Sequence, residues 1–222
     1  MKESTASFLS NVLSVVLGIV ITFTIQGMID RSQEKKDVRS ALQLVRTELL
    51  TNIDDIGVMC DYLAQERTAA AYILEHRGDL DRCPADSVNF HSGIIFADAS
   101  ISVSQDALEL LKSSSLFQKI GNNALSMKII RAYDDCGTIA AALNKHLDTR
   151  NNLFEHSVNE KTARQFASAG SIDIRDYVKT DYGLYAISHL TTQADIGGSI
   201  DVTDIREAVE AIDSYLGKRS PS

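Results

Sequence analysis

Val38 to Leu63 reads VRSALQLVRTELLTNIDDIGVMCDYL, and its apolar residues Val38, Leu42, Val45, Leu49, Ile53, Ile56, Cys60 and Leu63 recur by threes and fours. Seven steps cover 25 residues, about 3.6 per step, which is the period of an amphipathic helix and not of a strand. No proline occurs before Pro84, and Gly57 is the only glycine between Gly27 and Gly78. The spacing therefore predicts one helix that runs without a break from the N-terminal segment to about His76. Asn52 and Gly57 interrupt an ideal seam, which favours a packed helical bundle over an extended coiled coil.

Upstream of this stripe, Phe8 to Ile29 reads FLSNVLSVVLGIVITFTIQGMI, 22 residues without a charge. That is long enough to cross a hydrocarbon core of about 30 Å as a helix. A cleaved export signal fits poorly. The apolar run is too long, Lys2 is the only basic residue before it, and GMIDRSQEKK offers no small-residue cleavage site. Residues 1–29 are therefore expected to be an N-terminal segment with a single transmembrane helix, and 30–222 a helical bundle domain. Arg31, Lys35, Lys36 and Arg39 follow the span, against Lys2 before it. This basic collar favours a cytoplasmic C-terminal domain.

Within the span, Ala6, Ser10, Ser14, Gly18, Thr22 and Gln26 recur every four residues. Small-xxx-small spacing lets helix backbones approach closely in lipid. Such a stripe drifts around the helix, so Ser10, Ser14, Gly18 and Thr22 are the residues expected to meet a second copy.

Downstream, GDLDRCPADSVNFHSGIIFADAS, from Gly78 to Ser100, has the composition of a connection. A long irregular loop is expected at about 79–101, with Ile94, Ile95 and Phe96 tucked against the bundle. Ser102 with Gln105, or Ser104, opens a helix to about Phe117. Gly121 and Asn122 punctuate the chain, and Leu125, Ile129, Ala132, Cys136, Ile139, Leu143 and Leu147 then restore the helical period. This second long helix is expected to pack antiparallel to the first. Asp173 to Ile196 predicts a tyrosine-rich helix ended by Gly197 and Gly198, and Asp201 to Leu216 a last one. No segment alternates with period two. The fold class is all-α.

All of the formal charge of −8 falls on residues 30–222, because Lys2 and Glu3 cancel. An acidic body argues against nonspecific nucleic-acid binding, which needs clustered Lys and Arg. Three scattered cysteines, Cys60, Cys83 and Cys136, make no disulfide framework, and no Cys/His spacing suggests zinc. His76, His91, His146, His156 and His189 form no HxxxH or HExxH pair, and no phosphate loop or nucleophile elbow is present. The pairs Asp54-Asp55 and Asp134-Asp135 lack the inward Glu-x-x-His partners of di-metal bundles, and are read as a solvated acidic face. No catalytic residue, cofactor or metal is inferred.

The anchor end LGIVITFTIQGMIDRSQEKK together with SQDALELLKSSSLFQKIGNNALSMKIIRAYDD resembles an uncharacterised bacterial family of small single-span membrane proteins, DUF6090, over roughly residues 10–150. In that family the matched turn commonly reads Leu-Lys-Ser-Ser-Gly. This chain has Ser115 where glycine is usual, and it has no tryptophan. The resemblance implies bacterial origin, hence an inner-membrane location, and this architecture; the family has no established activity and so no catalytic residues to carry over.

Two functions are compatible with these features. One is a membrane-anchored interaction or scaffold protein, self-associated through its span and presenting a helical bundle to a protein partner. The alternative is a sensory or small-ligand-binding module, with contacts at Phe90, Ile95, Phe96, Tyr177, Tyr182 or Tyr185.

Overall fold

The computed structural model describes the backbone of residues 2–157, 164, 172–192 and 195–217, and side chains from residue 32 onward within that set. Among the described residues the fold is all-helical and contains no strand. The spine is α1 (Lys2–Glu75), one uninterrupted helix. Its predicted stripe is its inner face: Val38, Leu42, Val45, Leu49, Ile53 and Ile56 are all buried, while Cys60 and Leu63 pack at the edge. The expected span at 8–29 and the association stripe Ser10, Ser14, Gly18 and Thr22 lie outside the residues whose side chains are described. Among the described residues no helix is long and apolar enough to cross a membrane.

The expected irregular loop at 79–101 contains a helix, α2 (Ala85–Ile95). Pro84 stands at its N-cap with φ −54°, and Asp86 in the first turn favours the helix dipole. Val88 and Ile95, two turns apart, are its buried face. Pro84 lies outside this helix and Gly93 on its exposed side, so breaker residues gave the stretch a loop-like composition without preventing the helix.

From residue 97 the chain runs back along the spine. It is non-helical to residue 105, then forms α3 (Asp106–Ser113) and α4 (Leu116–Lys119), and Lys119 reaches Glu34 at 2.9 Å. There α5 (Asn123–Ser157) begins, so it runs parallel to α1, not antiparallel as expected. Its neighbours on α1 rise in step, with Tyr133 on Glu48 at 2.6 Å and Arg150 on Glu66 at 3.0 Å. The reason is the return segment, which spans the body and lets α5 start from the same end as the spine. The antiparallel partner is α9 (Thr203–Gly217), where Asp213 meets Arg46 and Glu207 meets Lys128.

The tyrosine-rich stretch is two helices, α6 (Ile174–Tyr177) and α7 (Asp181–Thr192). At Gly183 an added Cβ would sit 2.1 Å from the Tyr177 carbonyl oxygen, so only glycine lets the second helix follow so closely. Gly197 and Gly198, expected as terminators, lie in a short helix α8 (Ile196–Ser199) whose N-cap Asp195 accepts from the Gly198 N–H at 2.9 Å.

The buried apolar residues form two cores. The proximal core joins Val38 to Met59 of α1 with α3, α5 and α9. The distal core joins Ala69, Ala70 and Ile73 with Leu80, α2, α6 and α7. Between them, at the level of residues 62–66 and 150, the interior is polar.

Ser115 links α3 to α4 at φ 59° and ψ 8°, the one non-glycine residue with positive φ among the described residues. For an L-residue with a Cβ this left-handed region costs about 1–2 kcal/mol, partly offset because glycine loses more freedom on folding. Ser115→Gly is expected to raise stability by about 0.5–1 kcal/mol, seen as a higher urea midpoint at unchanged slope. An unchanged or lower midpoint would show that the serine is not strained.

Candidate functional site

The most organised polar region is a seam on the facing sides of α1 and α5 that grips residues 97–107. Asn52 on α1 is 1% exposed. Its amide nitrogen donates to the Ser104 carbonyl at 2.9 Å, and its oxygen accepts from the Ser104 N–H at 2.9 Å. Asn144 on α5 does the same to Ile101, donating at 2.7 Å and accepting at 3.1 Å. Each amide takes the place of a neighbouring strand, pairing the donor and the acceptor of one residue of the return segment, at buried Ile101 and at the more exposed Ser104.

One turn before Asn52, Glu48 accepts from the Ser104 hydroxyl and the Tyr133 hydroxyl at 2.6 Å each, and from the Ala107 N–H at 3.1 Å. Gln105, at the N-cap of α3, makes no side-chain capping bond. The cap is thus a carboxylate from a different helix, well placed for the positive end of the dipole. Burial pushes the Glu48 carboxyl up, but the bonds from Ser104, Tyr133 and the Ala107 and Asp106 amides outweigh it, and the net shift is downward. Burial, followed by the Glu48 hydrogen bond and charge, drives the Tyr133 phenol strongly upward.

Farther along the spine, Arg150 and Glu66 form an ion pair at 3.0 Å with both side chains 3% exposed. Arg150 also donates to the Tyr62 hydroxyl at 3.0 Å and to the Ala97 carbonyl at 2.5 Å, and its guanidinium lies 5.6 Å from the Phe154 ring centroid. Its Nε is buried without an acceptor. Desolvation is the largest influence on Glu66, and Arg150 and Tyr62 only partly oppose it, so the carboxyl is pushed up to about 6.

The six residues expected to contact a ligand or partner do not converge. Ile95 and Tyr177 are fully buried in the distal core. Phe96 packs beside Phe154 and Tyr177 at centroid distances of 5.6 and 5.3 Å, and the Tyr177 hydroxyl is hydrogen-bonded to Ser157. Phe90, Tyr182 and Tyr185 are exposed. Phe90 borders a cleft of about 240 Å³ between α1 and α2, lined also by Ala64, Gln65, Thr68, His91 and Ile94. That is smaller than the roughly 300–1,000 Å³ of ordinary ligand pockets. Asp54, Asp55 and Asp134 are exposed, and Asp135 is raised by burial and by Asp204.

No family model, characterised protein or solved structure matches this chain.

The reading of the sequence missed Glu48, Asn52, Tyr62, Glu66, Asn144 and Arg150. The available signal was position. Asn52 lies three residues after Leu49 and four before Ile56, while Asn144 and Arg150 each lie three residues from Leu147, all on apolar faces.

Proposed function

We propose that the chain is a membrane-anchored helical scaffold: a single-pass protein of a bacterial inner membrane, with residues 30–222 on the cytoplasmic side. The continuity of α1 from Lys2 to Glu75 carries this reading, because it makes the apolar 8–29 stretch and the spine of the body one helix. From Asp30 to Glu75, at about 1.5 Å per residue, that spine rises roughly 70 Å, a rigid support that holds the distal end away from a bilayer. At that end Tyr182 and Tyr185, 71% and 58% exposed on α7, present the kind of amphipathic aromatic surface that protein partners use. Self-association through Ser10, Ser14, Gly18 and Thr22 and kinship with the DUF6090 family belong to the same proposal. The left-handed backbone at Ser115, where that family carries glycine, supports the kinship. The cleft beside Phe90 favours the ligand-binding alternative, but its small volume fits at most a compact molecule.

A fluorescent reporter fused after Ser222 that matures only in the cytoplasm, paired with an enzyme reporter active only after export, tests the placement. Fluorescence without export activity is expected. Export activity alone reverses the orientation, and loss of membrane association in both fusions overturns the anchor. In a bilayer association assay on residues 1–37, Ser14→Ile with Gly18→Ile is expected to weaken self-association, since polar contacts in membranes contribute about 1 kcal/mol each.

A further inference from the structure

We propose that His76, Asp79 and Cys83, in the turns that follow α1, bind a divalent cation of the zinc class. They offer one nitrogen, one oxygen and one sulfur ligand, and the three atoms all lie within 4.8 Å of one another. Among the described residues no other group of three histidine, cysteine or acidic side chains converges in this way. Bonds of about 2.0–2.3 Å to a tetrahedral zinc ion place ligand atoms roughly 3.5 Å apart. Closing the set therefore requires at most about 1.3 Å of adjustment at any pair, within reach of side-chain rotation.

The backbone already holds these residues on one side of a coil. The Asp79 N–H donates to the His76 carbonyl at 2.9 Å, Arg82 to Asp79 at 2.7 Å, and Cys83 to Leu80 at 3.3 Å. Steps of three and four residues then align 76, 79 and 83. Leu80, 3% exposed, pins the coil to the distal core. Asp81, the neighbouring acid, is engaged by Arg175 at 3.7 Å and Lys179 at 3.9 Å, which leaves Asp79 as the carboxylate of the set. The Tyr72 ring stands edge-on to His76 with centroids 4.5 Å apart.

A mixed N, O, S set suits a borderline ion such as zinc over magnesium or calcium, which take oxygen ligands. Three protein ligands leave a fourth position, and the exposure of Asp79 opens it to water. Cys83 directly precedes Pro84 and α2, so the bound ion ties the start of α2 to the end of the spine. The pattern H-x2-D-x3-C is not a usual zinc spacing, which is why the sequence alone did not reveal it.

The test uses the full chain in detergent, stripped with a chelator, kept reduced by a phosphine and titrated with Co²⁺. One equivalent is expected to bind, with sulfur-to-cobalt charge-transfer absorption that Zn²⁺ displaces. Cys83→Ser should abolish that band, and Asp79→Asn should weaken binding at least tenfold while leaving the circular dichroism unchanged. Asp79 is exposed, so its variant keeps the test decisive even if Cys83→Ser folds poorly. No saturable binding near one equivalent, unaltered affinity in Asp79→Asn, or a charge-transfer band that survives in Cys83→Ser would each overturn the proposal.

Discussion

Asn52→Ala is expected to cost the body about 2 kcal/mol, because it removes both hydrogen-bond partners of the Ser104 backbone and empties a side-chain site that is itself 1% exposed. Each of the two hydrogen bonds contributes about 0.5–1.5 kcal/mol net. Truncating the side chain also opens a small cavity. Urea denaturation followed by circular dichroism measures the loss, and hydrogen exchange locates it, since the Ser104 amide should lose protection more than amides in the middle of α5. Asn52→Asp can still accept from the Ser104 N–H but no longer donates to its carbonyl, so it should not rescue stability at neutral pH. A loss below about 1 kcal/mol would mean that water already solvates this backbone, and that the asparagines do not hold the return segment.

Arg150→Met should be costlier, about 3–5 kcal/mol near pH 7.5, the usual consequence of leaving one partner of a buried ion pair alone. The Glu66 carboxyl, ordinarily at 4.5, is pushed up to about 6 by its desolvation. A folded-state value above the unfolded one means that the native protein holds the proton more tightly. The stability this contributes is fully present below about pH 4.5 and is lost as the pH rises through about 6. At about 1.4 kcal/mol per unit the change is about 2 kcal/mol across that window.

Without the guanidinium the carboxyl rises further, so the penalty of Arg150→Met should shrink on acidification to pH 5. Glu66→Gln should flatten the dependence between pH 4.5 and 6. Replacing both members, Glu66→Leu with Arg150→Met, should recover much of the single-variant loss, as apolar substitutes for buried pairs often do. An Arg150→Met penalty equal at pH 5 and pH 8 would show that Glu66 does not depend on Arg150 for its charge.

Which faces are buried was legible in the sequence for the three long helices. Val38 to Ile56, Leu125 to Leu147 and Ile205 to Ile212 carry apolar residues at helical spacing, and the residues at those positions line the proximal core. The direction of α5 was not legible, because periodicity identifies a face but carries no sign along the axis. It followed from the 97–122 return segment, whose extended part is held by side chains about 50 residues away in sequence. Local propensity contains no record of such contacts.

The candidate ligand residues failed for a related reason. Tyr177, Tyr182 and Tyr185 are close in sequence, but the break between α6 and α7 buries the first and exposes the other two. The polar seam was overlooked because one polar residue in an apolar stripe reads as an imperfection. Asn52 and Arg150 show that it can be the partner of a distant backbone.

That the antiparallel partner of α1 is the last of the described helices in chain order also bears on how the body can be made. Leu49, Leu111, Leu143 and Ile212 meet in one core although they come from four segments spread along the chain. A ribosome adding about 5–20 residues per second needs roughly 8–30 s to pass from Ile56 to Ile212. Throughout that interval the inner stripe of α1 has been synthesised while the helix that completes its burial has not. The proximal core therefore cannot be completed before α9 has been made. A nascent chain stopped before Thr203 leaves Val45, Leu49 and Ile53 without α9, in the state most open to chaperones, aggregation and proteases.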